Sequence, residues 1–280
     1  MPPNHWPRIL SVLTAVSCLA VTACDPTPEE HEHFPREETA EIVANLQDAG
    51  YPRADIAVGP EGRVVLQGDM VVSVGASRSL APRNFRHYRA HDIVSKSIDT
   101  IIVWVHPGLH SKPEFALAVE NAMQQWNEVG ASIGFSFQSS YLPEPPNYDA
   151  DPEVAVIQLQ PNNGHYNAEA DFPRGDGLPG PIIDVNVPHM DARGYTLSAK
   201  VRVLMHEIGH TMGLVHTDWL TQSSCIGSPG PVDPQEGGGP SKIEGTPDVD
   251  PNSVMNSCTN ATAIGQWSCA DKAAIERLYR

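Results

Sequence analysis

Beyond an apolar run at 9–21, apolar residues occur in short, weak runs as far as about residue 97 and in longer, regular ones after it. Residues 37–50 place Ile42, Val43 and Leu46 on one helical face, with Gly50 as a stop. Two strand-length runs follow, 63–66 and 70–74, on either side of Gly68-Asp69. From Ile98 the pattern strengthens, and Thr100–Val105 reads as a buried strand. Ser111-Lys112-Pro113-Glu114 has the form of a capping box with proline in the first turn. It opens a helix that turns Phe115, Val119, Ala122, Met123 and Trp126 inward and closes at Gly130. Residues 133–137, 154–159 and 182–187 are further strands, with a long Gly/Pro/Asp loop over 161–181. A second helix, capped by Thr196 or Ser198, buries Val201, Leu204, Met205 and Ile208. Residues 217–252 show almost no periodicity. A last helix is capped by Ser268 and Asp271, with Ile275, Leu278 and Tyr279 facing inward. This order predicts an α+β fold in which a twisted mixed sheet is covered by two helices. The α+β unit in front of it is too small for a strong core of its own.

Composition adds compartment to this picture. The 280 residues carry a formal net charge of −16, which disfavours nucleic acid as a partner. Arg8 precedes an apolar run, 9–21, too short to span a membrane comfortably. The run ends in Val21-Thr22-Ala23-Cys24, which resembles a bacterial lipobox and makes 1–23 a lipoprotein-type signal peptide, with Cys24 acylated. The alternative is an ordinary signal peptide cut near Ala23. Cys18 is a poorer lipid site, because Ala15 stands where a branched apolar residue is usual. Residues 24–36 read as an acidic tether, 37–79 as the small α+β unit and 80–97 as a basic linker containing Arg83, Arg86, Arg89 and Lys96. That linker is either a site for proteolysis or a solvated connector. An exported protein favours one disulfide among Cys225, Cys258 and Cys269. Spacing does not choose the pair; Cys225–Cys258, flanking the long loop, is preferred.

The candidate chemistry lies in residues 206–216, which read His-Glu-Ile-Gly-His-Thr-Met-Gly-Leu-Val-His. His206 and His210, four apart, project from one helical face. Gly213 can take the positive φ needed to stop the helix and turn the chain, bringing His216 back to the same point. Three imidazoles around one open position form the ligand set of a catalytic zinc. Glu207 is then placed to take a proton from the water that zinc activates. Calcium near Asp171–Asp176 or Asp248–Asp250 has no loop of known spacing behind it.

HExxHxxGxxH with Ser253-Val254-Met255-Asn256 beyond it resembles the metzincin zinc endopeptidases, whose Met-turn lies beneath the zinc histidines. The HEIGH core, His216-Thr217-Asp218-Trp219, Gly245-Thr246-Pro247, Asp250 to Asn256, Trp267 and the final helix together resemble the bacterial dual-action HEIGH metallopeptidases. The resemblance covers roughly Tyr88 to the end and implies a metzincin-like catalytic domain over 98–280. It implies one Zn2+ held by His206, His210 and His216, Met255 as the apolar base, and Glu207 as the general base of peptide hydrolysis. It also implies an edge strand that pairs with the substrate, for which 182–187 is the candidate. Leu66-Gln67-Gly68-Asp69 resembles, with Leu for Phe, the segment through which astacin propeptides place a carboxylate on zinc, so Asp69 is a candidate latency ligand. The expected protein is a monomeric zinc endopeptidase of the bacterial cell envelope. Its partners are a peptide or protein substrate and, through the lipid alone, a membrane. A zinc hydrolase of cell-wall peptides or esters, or an inactive surface-anchored binding lipoprotein, are the alternatives. Intact-mass and N-terminal analysis of the exported protein should find acylated Cys24 as its first residue; a free N-terminus at another position would remove the lipid anchor.

Overall fold

The computed structural model describes residues 36–48, 51, 53–79, 88–90, 92–138, 155–173, 175–225, 241–247 and 250–280. The signal segment, Cys24 and the tether before Arg36 lie outside them, as do Asp248 and residues 80–87 of the basic linker. In chain order the elements are α1 (Arg36–Asp48), β1 (Ile56–Val58), β2 (Val64–Leu66), β3 (Met70–Val71), α2 (Val74–Ser79), β4 (Tyr88–Arg89) and β5 (Thr100–Val105). Next come α3 (Pro107–His110), α4 (Pro113–Glu128), β6 (Gly134–Gln138), β7 (Ala155–Pro161), β8 (Ala168–Asp171) and β9 (Ile182–Val185). The chain finishes with α5 (Val187–Ala192), α6 (Leu197–Met212), β10 (Ser241–Lys242) and α7 (Cys269–Tyr279).

Eight strands form one mixed sheet in the order β1-β2-β3-β8-β9-β7-β5-β6. The β6, β5, β7 and β9 strands run parallel, β8 is antiparallel to β9, and β3 is parallel to β8. The small N-terminal unit therefore extends the sheet rather than standing beside it. Its apolar residues Ile42, Leu46, Leu66 and Met70 share a core with Phe172, Val215 and Trp219. This is how a unit too small for its own core becomes stable. The larger core lies between the sheet and helices α4 and α6. Trp126 on α4 is fully buried, packs edge-on against Trp267 at 4.8 Å, and donates its indole N–H to Met205 O on α6 at 3.3 Å.

Several expectations change here. Residues 182–187 do not form an edge: β9 lies between β7 and β8, with both sides paired. The 161–181 stretch contains a strand, β8. Ser111 does not cap α4. Its hydroxyl donates to Gly108 O at the end of α3, and Lys112 takes the cap position without a side-chain bond. The second half of the basic stretch is not exposed linker, since Tyr88, Ala90 and Val94 are buried and β4 pairs with β10. Thr196 caps α6, and Ser268 with Asp271 forms a reciprocal capping box on α7. Trp126→Ala should destabilise the protein by about 3–5 kcal/mol, read as a shift of the urea midpoint; an unchanged midpoint would mean that the α4–α6 seam does not carry the core.

Candidate metal centre

His206 and His210 stand one turn apart on α6, 8% and 0% exposed. The helix ends at Gly213, whose φ of 96° is left-handed; a Cβ there would also lie 2.8 Å from Asp92 O. Leu214 then bridges to Arg89, and Val215 N–H donates to Tyr88 O. His216 arrives fully buried. The three Nε2 atoms lie 2.9 Å apart for His206–His210 and 3.2 Å for each of the other two pairs.

The Nδ1 atoms decide what these short contacts are. His206 Nδ1 lies 2.8 Å from Val254 O, His210 Nδ1 2.8 Å from Leu214 O, and His216 Nδ1 3.0 Å from the Gln67 side-chain oxygen. The Gln67 amide is oriented by its nitrogen, which donates to Trp219 O at 2.8 Å and to Asp55 Oδ2 at 3.1 Å. All three partners are acceptors, so each Nδ1 carries the proton and each Nε2 presents a lone pair. Three lone pairs at such distances repel unless a cation sits among them. Tetrahedral zinc with Zn–N bonds of 2.0–2.1 Å sets its nitrogens about 3.3 Å apart. The donor set therefore fits zinc.

The fourth corner is filled by the hairpin between β2 and β3. Asp69 Oδ2 lies 3.1 Å from His216 Nε2 and 3.3 Å from His206 Nε2, and Oδ1 is 4.0 Å from His210 Nε2. These four side chains form the one group among the described residues whose geometry could hold a metal ion. Asp69 Oδ1 and Glu207 Oε2 are buried without a hydrogen-bond partner. Burial, reinforced by the Asp69 and Glu169 carboxylates, pushes Glu207 well above the usual carboxylate range. Burial and the two neighbouring imidazoles hold His210 well below its ordinary value, as a neutral metal ligand. For Asp69 and His216 burial is opposed by mutual attraction, which wins: the carboxyl is held down and the imidazole is raised. Both shifts express a demand for positive charge at one point.

Met255 is buried against Gly209, the residue before His210. A Cβ on Gly209 would lie 2.5 Å from its sulfur, so the HEIGH glycine permits the close approach. The Met255 turn is tied down from α7: Asp271 accepts from the Ser253 hydroxyl at 2.6 Å and from Val254 N–H at 2.8 Å. Thr217 N–H donates to Met255 O at 2.8 Å. Cys225 and Cys258 are joined as a disulfide, and Cys269 is free and exposed.

The sequence model of the dual-action HEIGH metallo-peptidases matches residues 64–279. The chain belongs to that family. No curated protein matches it. Among solved structures, myroilysin is similar at 13% identity and a TM-score of 0.36, over 71% of this chain and 93% of that one. Archaemetzincin from Methanopyrus kandleri is similar at 16% identity and a TM-score of 0.33, over 65% and 95%. As a HEIGH metallo-peptidase, the chain is a metallopeptidase with a zinc-binding donor set, acting on peptide or protein substrates. The family match begins at Val64, so it includes the hairpin that carries Asp69.

Sequence reasoning missed Gln67. Its signal was its place two residues before Asp69, in the same segment. The backbone acceptors Val254 O and Leu214 O leave no trace in residue type. His216→Ala should abolish stoichiometric zinc by elemental analysis. Gln67→Leu, which cannot accept from His216, should weaken zinc about 10–100-fold in chelator competition; unaltered affinity would show that Gln67 does not orient His216.

Proposed function

We propose that Glu207 is the general base of peptide-bond hydrolysis in this zinc metallopeptidase, and that Asp69 holds the enzyme latent. The observation that carries the reading is the arrangement of four atoms: three Nε2 lone pairs converging, with Asp69 Oδ2 against two of them. Bound zinc would supply a Lewis acid for the scissile carbonyl and bring the pKa of water near neutrality. His206, His210 and His216 would hold it in the active form, with Asp69 added in the latent one. Glu207 lies next to His206 with an unpartnered carboxylate oxygen, and it moves the proton from attacking water to the leaving amine.

Latency and substrate docking are one event in this reading. A peptide adding to the sheet needs the free side of β8, whose other side is paired to β9. That side is taken by β3, with Met70 opposite Ala170 and Val71 opposite Asp171. Arg63, just before β2, reinforces the hold through Asp184 at 2.8 Å and Glu169 at 3.5 Å. The hold of Asp69 on the metal centre keeps the hairpin tip seated; its loss would let the tip withdraw and free the strand edge and the fourth corner together. The lipoprotein signal and Cys24 would place the latent enzyme at the bacterial cell envelope. In an Asp69→Ala background, adding Glu207→Gln should keep zinc and lower casein hydrolysis by about 10²–10⁴-fold; hydrolysis at the rate of the background chain would take Glu207 out of the mechanism.

A further inference from the structure

A cavity of about 240 Å3 opens beside Glu207. The hairpin tip, His206 and Asn256, from the Met255 turn, all line it. The wall contributed by α5 and the first half of α6 carries His189, Arg193 and Arg202. Arg202 is only 8% exposed. It stands one turn before His206 on the same helix face. One guanidinium nitrogen donates to Ser253 O, and no carboxylate among the described residues forms an ion pair with it. The acids whose charge reaches it are Asp271 and Asp250. Both are engaged elsewhere. Asp271 serves Ser253, Val254 and the α7 cap, and Asp250 accepts from Asn252 N–H and the Ser268 hydroxyl. Burial accordingly pulls the Arg202 guanidinium below its ordinary value despite them. Asp271 and Asp250 act on Arg202 through space without contacting it, so its remaining N–H donors have no carboxylate partner among the described residues and are open to one entering the cavity. Arg193, exposed at the end of α5, adds a second cation to the same wall. In a chain of net charge −16 this wall is opposite in sign to the molecule as a whole.

We propose that this cavity is a specificity pocket for a carboxylate side chain: it receives the Asp or Glu of a peptide substrate close to the scissile bond, with Arg202 as the buried partner and Arg193 at the mouth. Glu207 and His206 in the cavity wall fix the distance between the bound side chain and the reacting carbonyl, so the pocket selects where a chain is cut. Arginine suits this role, because its planar fork can grip a carboxylate with two hydrogen bonds. The proposal rests on the peptidase reading, with the hairpin tip withdrawn.

The test uses the full-length, zinc-loaded chain carrying Asp69→Ala and Glu207→Gln. Its ligands are fluorescein-labelled octapeptides in which alanine alternates with Glu, Gln or Lys. Alternation puts every test side chain on one face of an extended strand, so every second register presents one to the pocket. By fluorescence anisotropy at roughly physiological ionic strength, the Glu peptide should bind at least about tenfold tighter than the Gln peptide, and the Lys peptide most weakly. Arg193→Gln and Arg202→Gln should each reduce the Glu-over-Gln advantage to about threefold or less. Arg193 has its side-chain hydrogen bond to His189 and none to the Met255 turn among the described residues, so its variant reads the pocket without disturbing the metal centre. Equal binding of the Glu and Gln peptides, no binding of either, or tightest binding of the Lys peptide would overturn the proposal. The same peptides offered to the Asp69→Ala chain with Glu207 intact separate the two readings. Selective binding without turnover overturns the peptidase mechanism and supports the pocket; turnover without acidic preference overturns the pocket alone.

Discussion

Three imidazole lone pairs aimed at one point are the constraint on which this structure depends. Each is fixed from behind, because each Nδ1–H donates to an oxygen that can only accept. Two of those oxygens belong to backbone that the fold positions tightly. Leu214 O follows the left-handed Gly213, and Val254 O belongs to a turn held by the α7 cap residue Asp271. The helix, the glycine stop, the Met255 turn and the C-terminal helix thus serve one geometry. Without a cation the arrangement would repel itself; with zinc it is satisfied. The third oxygen differs in kind, since it comes from Gln67, on the N-terminal hairpin.

That hairpin makes the N-terminal unit more than a plug. It places Asp69 at the fourth corner, orients His216 through Gln67, completes the sheet beside β8 and shares a core with Trp219 and Phe172. Gln67 and Gly68 at its tip both take positive φ, at 52° and 94°. Gly68 adopts this freely, whereas Gln67 bears a modest strain that its amide bonds to Trp219 and Asp55 offset. Removing the hairpin would therefore take one hydrogen bond from the metal centre at the moment it opens the fourth corner. A water or another side chain would have to accept from His216 Nδ1 in its place.

What could be read in the sequence was what local spacing determines. The i, i+4 histidines, the Gly213 stop and the Ser268–Asp271 capping box depend on neighbours within one or two turns, and each takes the form its spacing dictates. Pairings across the chain were less legible. Strand β8, Ala168-Glu-Ala-Asp, has no β-branched or aromatic residue, and its strand character comes from β9 and β3 on either side. Residues 182–187 were expected at an edge from the metzincin resemblance alone, and nothing in the segment reveals that β8 covers them. The Ser111 cap failed because the short α3 turn claimed its hydroxyl first. Arg202 was invisible as a site residue, since an arginine on an amphipathic helix ordinarily reads as solvated surface. Only the cavity distinguishes it.

The proposed block of the metal centre by Asp69 comes from within the chain. Its most direct test is the rate of casein hydrolysis by the zinc-loaded, uncleaved full-length protein, with chain length verified by intact mass before and after the assay. Asp69→Ala should raise that rate at least about tenfold over the uncleaved wild type, a difference of about 1.4 kcal/mol in barrier. Equal rates for the two uncleaved proteins would contradict it.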